Sequence, residues 1–202
     1  MTTAALEARS LARAFRGRPV LRGASLALAP GTVAAVVGEN GSGKTTLLRI
    51  LAGLLTPDAG EVRLSGRLGY CPQEPDVFDT LTVREHFRLF AGALGVEAWR
   101  AELDRLADGL GFRAHTDRLV RELSGGVRQK LNLSLALLGD PEVVLLDEPC
   151  AAFDWQTYLA FWELAAELRA RGRAVLLVSH LVHDRERLDG IWALDDGVLR
   201  CG

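Results

Sequence analysis

One stretch of this sequence has the residue types and spacing to hold a phosphate. Gly38-Glu39-Asn40-Gly41-Ser42-Gly43-Lys44-Thr45 follows G-x-x-x-x-G-K-[ST] in full. Glycines let successive backbone N–H groups turn inward around an anion, and a helix starting behind them adds its positive end. Lys44 supplies a compact charge on a flexible stem for β- and γ-phosphates, and Thr45 offers a hydroxyl to Mg²⁺. Of the 24 cationic residues only Lys44 and Lys130 are lysine, so a lysine stands where a point charge serves better than a planar guanidinium.

A second group of chemically able residues ends an apolar run: Val143-Val144-Leu145-Leu146-Asp147-Glu148-Pro149. In parallel sheets, ligands gather at the carboxyl ends of the strands. Asp147 is placed to hold Mg²⁺ directly or through water, and Glu148 to polarise a water for attack on a γ-phosphate. Taken alone, a strand ending in two acids is an ordinary solvated loop start; beside the phosphate loop it becomes chemistry.

The elements needed to position these groups can be read from the pattern. Val33–Val37 is a buried-strand run, followed by a helix with Leu47, Leu48, Leu51 and Leu55 on its apolar side. Thr56–Gly60 reads as a turn, and Glu61–Ser65 and Arg67–Tyr70 as short strands around Gly66. Trp99, Leu103, Leu106 and Leu110 fall at helical spacing, as do residues of Arg84–Leu94, so about 76–139 is expected to be a helical insertion. Then come strand Val143–Asp147, helix Trp155–Arg171, strand Ala174–Val178 and a last strand near Ile191–Leu194. Trp155, Leu159, Trp162 and Ala166 are expected to face core or interface. Apolar β-branched runs alternating with helices predict an α/β fold with a mostly parallel sheet.

Composition limits what the chain can be. Its 202 residues suit a single domain, 1–202, and 49% hydrophobic with 25% charged residues is the usage of a globular protein. A formal charge of -2 gives no field for a polyanion, so no nucleic-acid partner is expected. No apolar run approaches the roughly 20 residues that span a bilayer, and no secretory leader is predicted. Cys71, Cys150 and Cys201 lie far apart with no C-x-x-C, which fits a reducing cytoplasm rather than a disulfide framework.

Leu123-Ser124-Gly125-Gly126-Val127 precedes a helix carrying Leu131, Leu135 and Leu138, with Ser124 a good N-cap. With this motif added, the sequence resembles the ATP-binding subunit of ABC transporters along nearly its whole length. The resemblance assigns the Walker A loop to Gly38–Thr45, with Thr46 beside it, the Q-loop to Gln73 and the signature to Leu123–Val127. It gives the Walker B strand to Val143–Glu148, the D-loop to Asp154, the switch histidine to His180 and the adenine-stacking aromatic to Phe15. His183 is the neighbouring alternative to His180. Val127 stands where the family usually has Gln, and Ala151-Ala152-Phe153-Asp154-Trp155 departs from the usual D-loop. The stretch Gly69-Tyr70-Cys71-Pro72-Gln73…Leu81-Thr82-Val83-Arg84-Glu85-His86 looks like exporters of the A-subfamily type.

The resemblance implies a P-loop NTPase fold: a RecA-like parallel core, a small N-terminal antiparallel β-subdomain, trimmed here, and the helical insertion, with no C-terminal regulatory domain. It implies Mg-ATP on Gly38–Thr46, with Lys44, Gln73, Glu148 and His180 catalytic and Thr45, Gln73 and Asp147 at the metal. Two chains would close head-to-tail, each lending Ser124, Gly125, Gly126 and Asp154 to the other's nucleotide. Integral membrane permease subunits would receive the motion, placing the chain at the inner face of the cell membrane and favouring export. Three readings stand beside this one: a haem-export ATPase of cytochrome c maturation, a non-transport ABC-type ATPase, and a small-molecule kinase, which would need an acceptor site but not Leu123–Gly126.

Overall fold

The computed structural model describes residues 4–180 and 184–202. A six-stranded sheet runs through its centre in the order β5(Leu68–Cys71), β6(Val143–Asp147), β7(Ala174–Ser179), β3(Val33–Val37), β8(Gly190–Asp195), β9(Val198–Cys201). All pairs are parallel except β8 with β9. Val33–Val36, Val143–Asp147 and Ala174–Val178 are buried, as continuous apolar strands covered on both faces must be. Parallel pairing puts the carboxyl ends of β3, β6 and β7 on one edge, where Val37 sits opposite Ser179 and Asp147 opposite Val178.

A second, antiparallel sheet joins β1(Leu6–Phe15), β2(Arg18–Leu28) and β4(Ala59–Leu64) in the order β2-β1-β4. The short strands expected on either side of Gly66 therefore do not pair with each other. β4 joins β1, whereas β5 crosses to β6. One apolar cluster fills the space between the two sheets with Leu47, Leu48 and Leu51 of α1(Lys44–Leu51). That helix stops earlier than its apolar pattern suggests. Gly53 takes φ 72 and donates its N–H to the Ile50 carbonyl, a left-handed stop that leaves Leu55 beyond the helix.

The helical insertion consists of α2(Val83–Leu94), α3(Trp99–Gly109) and α4(Gly125–Leu137), packed over Phe87, Leu103, Leu106 and Phe112. A capping box starts α2: the Thr82 hydroxyl accepts from the Glu85 N–H at 3.1 Å, and the Thr82 N–H donates to the Glu85 carboxylate at 2.8 Å. His86, fully buried, accepts from the Phe78 N–H at 2.9 Å and fastens the preceding loop to α2. From Gln129 through Gly139, spanning the last nine residues of α4, every residue is buried, so its leucines do not form the one-sided stripe read from the sequence. Along α5(Trp155–Ala170) the buried residues are Thr157, Phe161, Trp162, Ala165 and Leu168. Of the expected stripe only Trp162 is buried, while Trp155 stands 67% exposed at the start of the helix.

The insertion's core sets how firmly α4 is held. Leu103→Ala removes a side chain with no exposed surface. It is expected to cost about 2–5 kcal/mol, read as a lower urea midpoint with an unchanged slope.

Candidate nucleotide site

The phosphate loop begins where β3 ends. A Cβ on Gly38 would lie 2.4 Å from the Leu194 carbonyl oxygen and 2.8 Å from the Ser42 Oγ, so only glycine lets the chain turn there. Gly43 takes φ 103, and a Cβ on it would lie 2.9 Å from Val20 Cγ1, because the antiparallel sheet leans directly on the loop. Lys44 opens α1 and is 8% exposed. Its Nζ donates to the carbonyls of Gly38 at 2.7 Å and Glu39 at 2.8 Å, so the loop curls around an ammonium group. No side chain caps α1, which leaves its first-turn N–H groups facing the loop.

Asp147, at the end of β6, is 1% exposed. Burial pushes its carboxyl above the usual range, the Thr45 hydroxyl bonded to it pulls the other way, and the Glu148 charge adds to the rise. Its Oδ2 has no hydrogen-bond partner, and neither has the buried Oγ of Ser42 in the loop. A buried anionic oxygen next to a threonine hydroxyl is a hard-donor set, and a divalent cation such as Mg²⁺ is the partner it suits.

Glu148 takes φ 49, rare for a residue with a side chain, and its N–H donates to the Val178 carbonyl at 2.9 Å. The turn aims its carboxylate at the end of β7. There it accepts from the His180 backbone N–H at 2.8 Å, meets His180 Nδ1 at 3.2 Å and accepts from the Ser179 hydroxyl at 3.2 Å. Such strain is held where the surroundings fix it, and it clusters at functional sites. The His180 side chain is 54% exposed against 11% for Glu148, so the imidazole reaches out while the acid stays sheltered.

The other expected residues fall into two groups. Gln73 lines a cleft of about 780 Å³ together with Thr45, Asp147, Arg49 and Asn132. Phe15 ends β1, 43% exposed, with the Arg13 guanidinium 4.9 Å from its ring centroid. Asp58 braces this corner, accepting from Arg13 at 2.6 Å and from the Ala14 N–H at 2.7 Å. Ser124 caps α4 through the Val127 N–H at 3.4 Å, and Gly126 packs against the Ala152 carbonyl. Asp154 caps α5, and the Thr157 N–H holds its carboxyl below the usual range. Ser124, Gly125 and Asp154 are exposed and do not line the Thr45–Asp147 cleft. His183 lies outside the described residues. Sequence reasoning missed Gln129 and Asn132, buried amides within the apolar run of α4. Asn132 left only a polar letter between two leucines, and Gln129, between Arg128 and Lys130, left no signal at all.

Known proteins match this arrangement. The family described as ABC transporter matches residues 21–151. The Nod factor export ATP-binding protein I of Paraburkholderia xenovorans is 36% identical, over 93% of this chain and 66% of its own length. The chain thus spans just under two thirds of that relative. The human phospholipid-transporting ATPase ABCA7 is 37% identical over 96% of this chain and 10% of its own. Among solved structures, an ATP-binding subunit of an ABC transporter aligns at TM-score 0.90 and 28% identity, covering 99% of this chain and 90% of the other. A bacterial ABC transporter cassette solved as a dimer aligns at TM-score 0.87 and 22% identity, covering 96% of each.

Asp147 makes a clear prediction. A carboxyl raised by burial binds a proton more readily folded than unfolded, so its contribution falls as pH rises above the ordinary aspartate range. Without Mg²⁺, Asp147→Asn is expected to raise the melting temperature at pH 7 and to narrow its gap to the wild type as pH falls toward 4. Calorimetry across that range checks both signs.

Proposed function

This chain belongs to the ABC transporter family, and we propose that it is the ATP-binding and ATP-hydrolysing subunit of an exporter, driving movement through separate membrane subunits. The observation that carries this reading is the shared sheet edge. Lys44 on its loop, Asp147 with its unmatched oxygen, and Glu148 braced by His180 all stand at the carboxyl ends of adjoining strands. The relatives named as export ATP-binding proteins support the direction of transport.

Each residue has a task that its position supports. The loop N–H groups and Lys44 hold the β- and γ-phosphates. Thr45, Asp147 and Gln73 hold Mg²⁺, which when bound neutralises charge on the phosphate oxygens. Glu148 orients a water and takes its proton, while His180 keeps that carboxylate in place and reaches toward the γ-phosphate. Phe15 offers a π-face to adenine. Ser124 lies eight residues before Asn132, about 12 Å along the helix. The Ser124–Gly126 corner is therefore suited to a second copy's nucleotide rather than its own, with Asp154 beside the same joint.

Two chains closing around two nucleotides make a self-complementary pair that opens once the γ-phosphate contacts are gone. Among the described residues no helix is long and apolar enough to cross a membrane. The cleft beside Gln73, with Leu54 59% and Leu94 51% exposed, offers an apolar seat for a cytoplasmic segment of a permease subunit. A permease partner of this kind would hold the chain at the inner face of the membrane.

Two variants test the reading. Glu148→Gln is expected to slow phosphate release by about 10²–10⁴-fold and to migrate as a dimer on gel filtration with ATP but not with ADP. Lys44→Ala is expected to abolish both turnover and the ATP-dependent shift. Full turnover in the Lys44 variant, or transfer of phosphate to an acceptor instead of water, would exclude it.

A further inference from the structure

Four polar residues lie within the buried length of α4: Gln129 (4% exposed), Lys130 (8%), Asn132 (5%) and Ser134 (0%). Ser134 satisfies itself on the Lys130 carbonyl one turn back, at 2.7 Å. The two amides do not. Asn132 Nδ2 donates to the Pro72 carbonyl at 2.7 Å, and Gln129 Nε2 reaches the Pro149 carbonyl at 3.5 Å. Residues three apart share one helix face, so both bonds leave α4 on the same side.

The acceptors are not arbitrary. The β5–β6 ladder ends at the pair Cys71–Leu146, so the carbonyls just past it need partners from elsewhere. Pro72 immediately precedes Gln73, and Pro149 immediately follows Glu148. Packing alone would favour leucines at 129 and 132, since a buried amide is costly unless its hydrogen bonds are made. The donors sit five and eight residues beyond Ser124, and Asn132 itself lines the cleft that holds Gln73 and Asp147. With one bond to each loop, the helix cannot slide or tilt without pulling on both.

We propose that Asn132, together with Gln129, is a positioning residue that couples the two nucleotide sites of the pair. It ties the helix reaching the partner's γ-phosphate to the loops bearing this chain's own Gln73 and Glu148. The inference rests on the functional reading above. Engagement of Ser124–Gly126 with the partner's nucleotide settles α4, and α4 in turn fixes Pro72 and Pro149. Each site then reaches its hydrolytic geometry only when the other is filled, which makes turnover rise steeply with ATP concentration.

Two substitutions at Asn132 test this. Asn132→Leu keeps the volume and removes the donor. Asn132→Asp keeps the shape and donates only when its carboxyl is protonated. Rates are measured over a range of ATP concentrations and at pH 6 and 8, together with melting temperatures. In Asn132→Leu, kcat is expected to fall about tenfold, with the half-saturating ATP concentration within about twofold of wild type. The ATP dependence should flatten to that of independent sites, and the melting temperature should not drop. Asn132→Asp should be as slow at pH 8 and recover several-fold at pH 6, each rate taken relative to the wild type at the same pH.

Wild-type kcat and steepness in Asn132→Leu overturn the coupling. So does a loss that only follows a lowered melting temperature, with no recovery of Asn132→Asp at pH 6. Both results presuppose hydrolysis that Lys44→Ala abolishes. If the wild type shows no such Lys44-dependent hydrolysis, the functional reading itself fails instead.

Discussion

The structure is organised around a charge that the protein buries and does not itself fully satisfy. One oxygen of Asp147, buried at the carboxyl end of β6, has no hydrogen-bond partner from the protein, and a hard divalent cation is the partner that suits it. The alternative would be a basic side chain in contact with it. Lys44 is close by, yet it is committed to the Gly38 and Glu39 carbonyls. The ammonium thus shapes the loop, and the two opposite charges make no direct ion pair with each other. A site that cancelled them would be more stable alone and useless for a charged ligand.

The fold makes this possible by separating the tasks. β3, β6 and β7 are buried along their lengths and end together, so the loops behind them start from fixed points. Glu148 can then hold a left-handed backbone, because its N–H is secured by Val178 and its carboxylate by the His180 N–H. The antiparallel sheet adds a wall, with Val20 pressed against Gly43. A bulkier residue at Gly43 would push that wall away and disturb the corner that carries Phe15.

Much of this was legible in the sequence, for specific reasons. The loop from Gly38 to Thr45 is a contiguous pattern with few physical alternatives, and Val33–Val37 and Val143–Asp147 are apolar enough to read only as buried elements. Pairing was less legible, because the partner of a short strand is set by residues far along the chain; β4 and β5 separate into different sheets for that reason. The hairpin partner of β8, Val198–Cys201, is short, half-exposed and ends in Arg-Cys, so it gave no periodic signal. Of the α5 stripe only Trp162 reaches the core, and Trp155 and Ala166 are exposed, which leaves the interface half of that expectation untouched. Ser124 was legible as a helix cap and is one, and Asp154 caps α5 as well. That fact neither adds to nor removes from a role across a joint, since a capping side chain leaves the neighbouring backbone N–H groups free to meet an anion.

The helix α4 shows where pattern reading must give way to an account of each buried polar group. It is buried from Gln129 onward, so its leucines say only that it is internal. What makes it informative is the minority of residues that packing does not explain. An enclosed helix moves as a rigid body, and a rigid body is steered by its directional contacts rather than by its apolar ones, which slide. In α4 those contacts are the amide bonds to Pro72 and Pro149 and the ion pair of Arg128 with Asp79. The amides leave from the buried middle of the helix, beside the residues that handle phosphate, while its start at Ser124 is exposed. A chain that needed α4 only as filling would have no use for either.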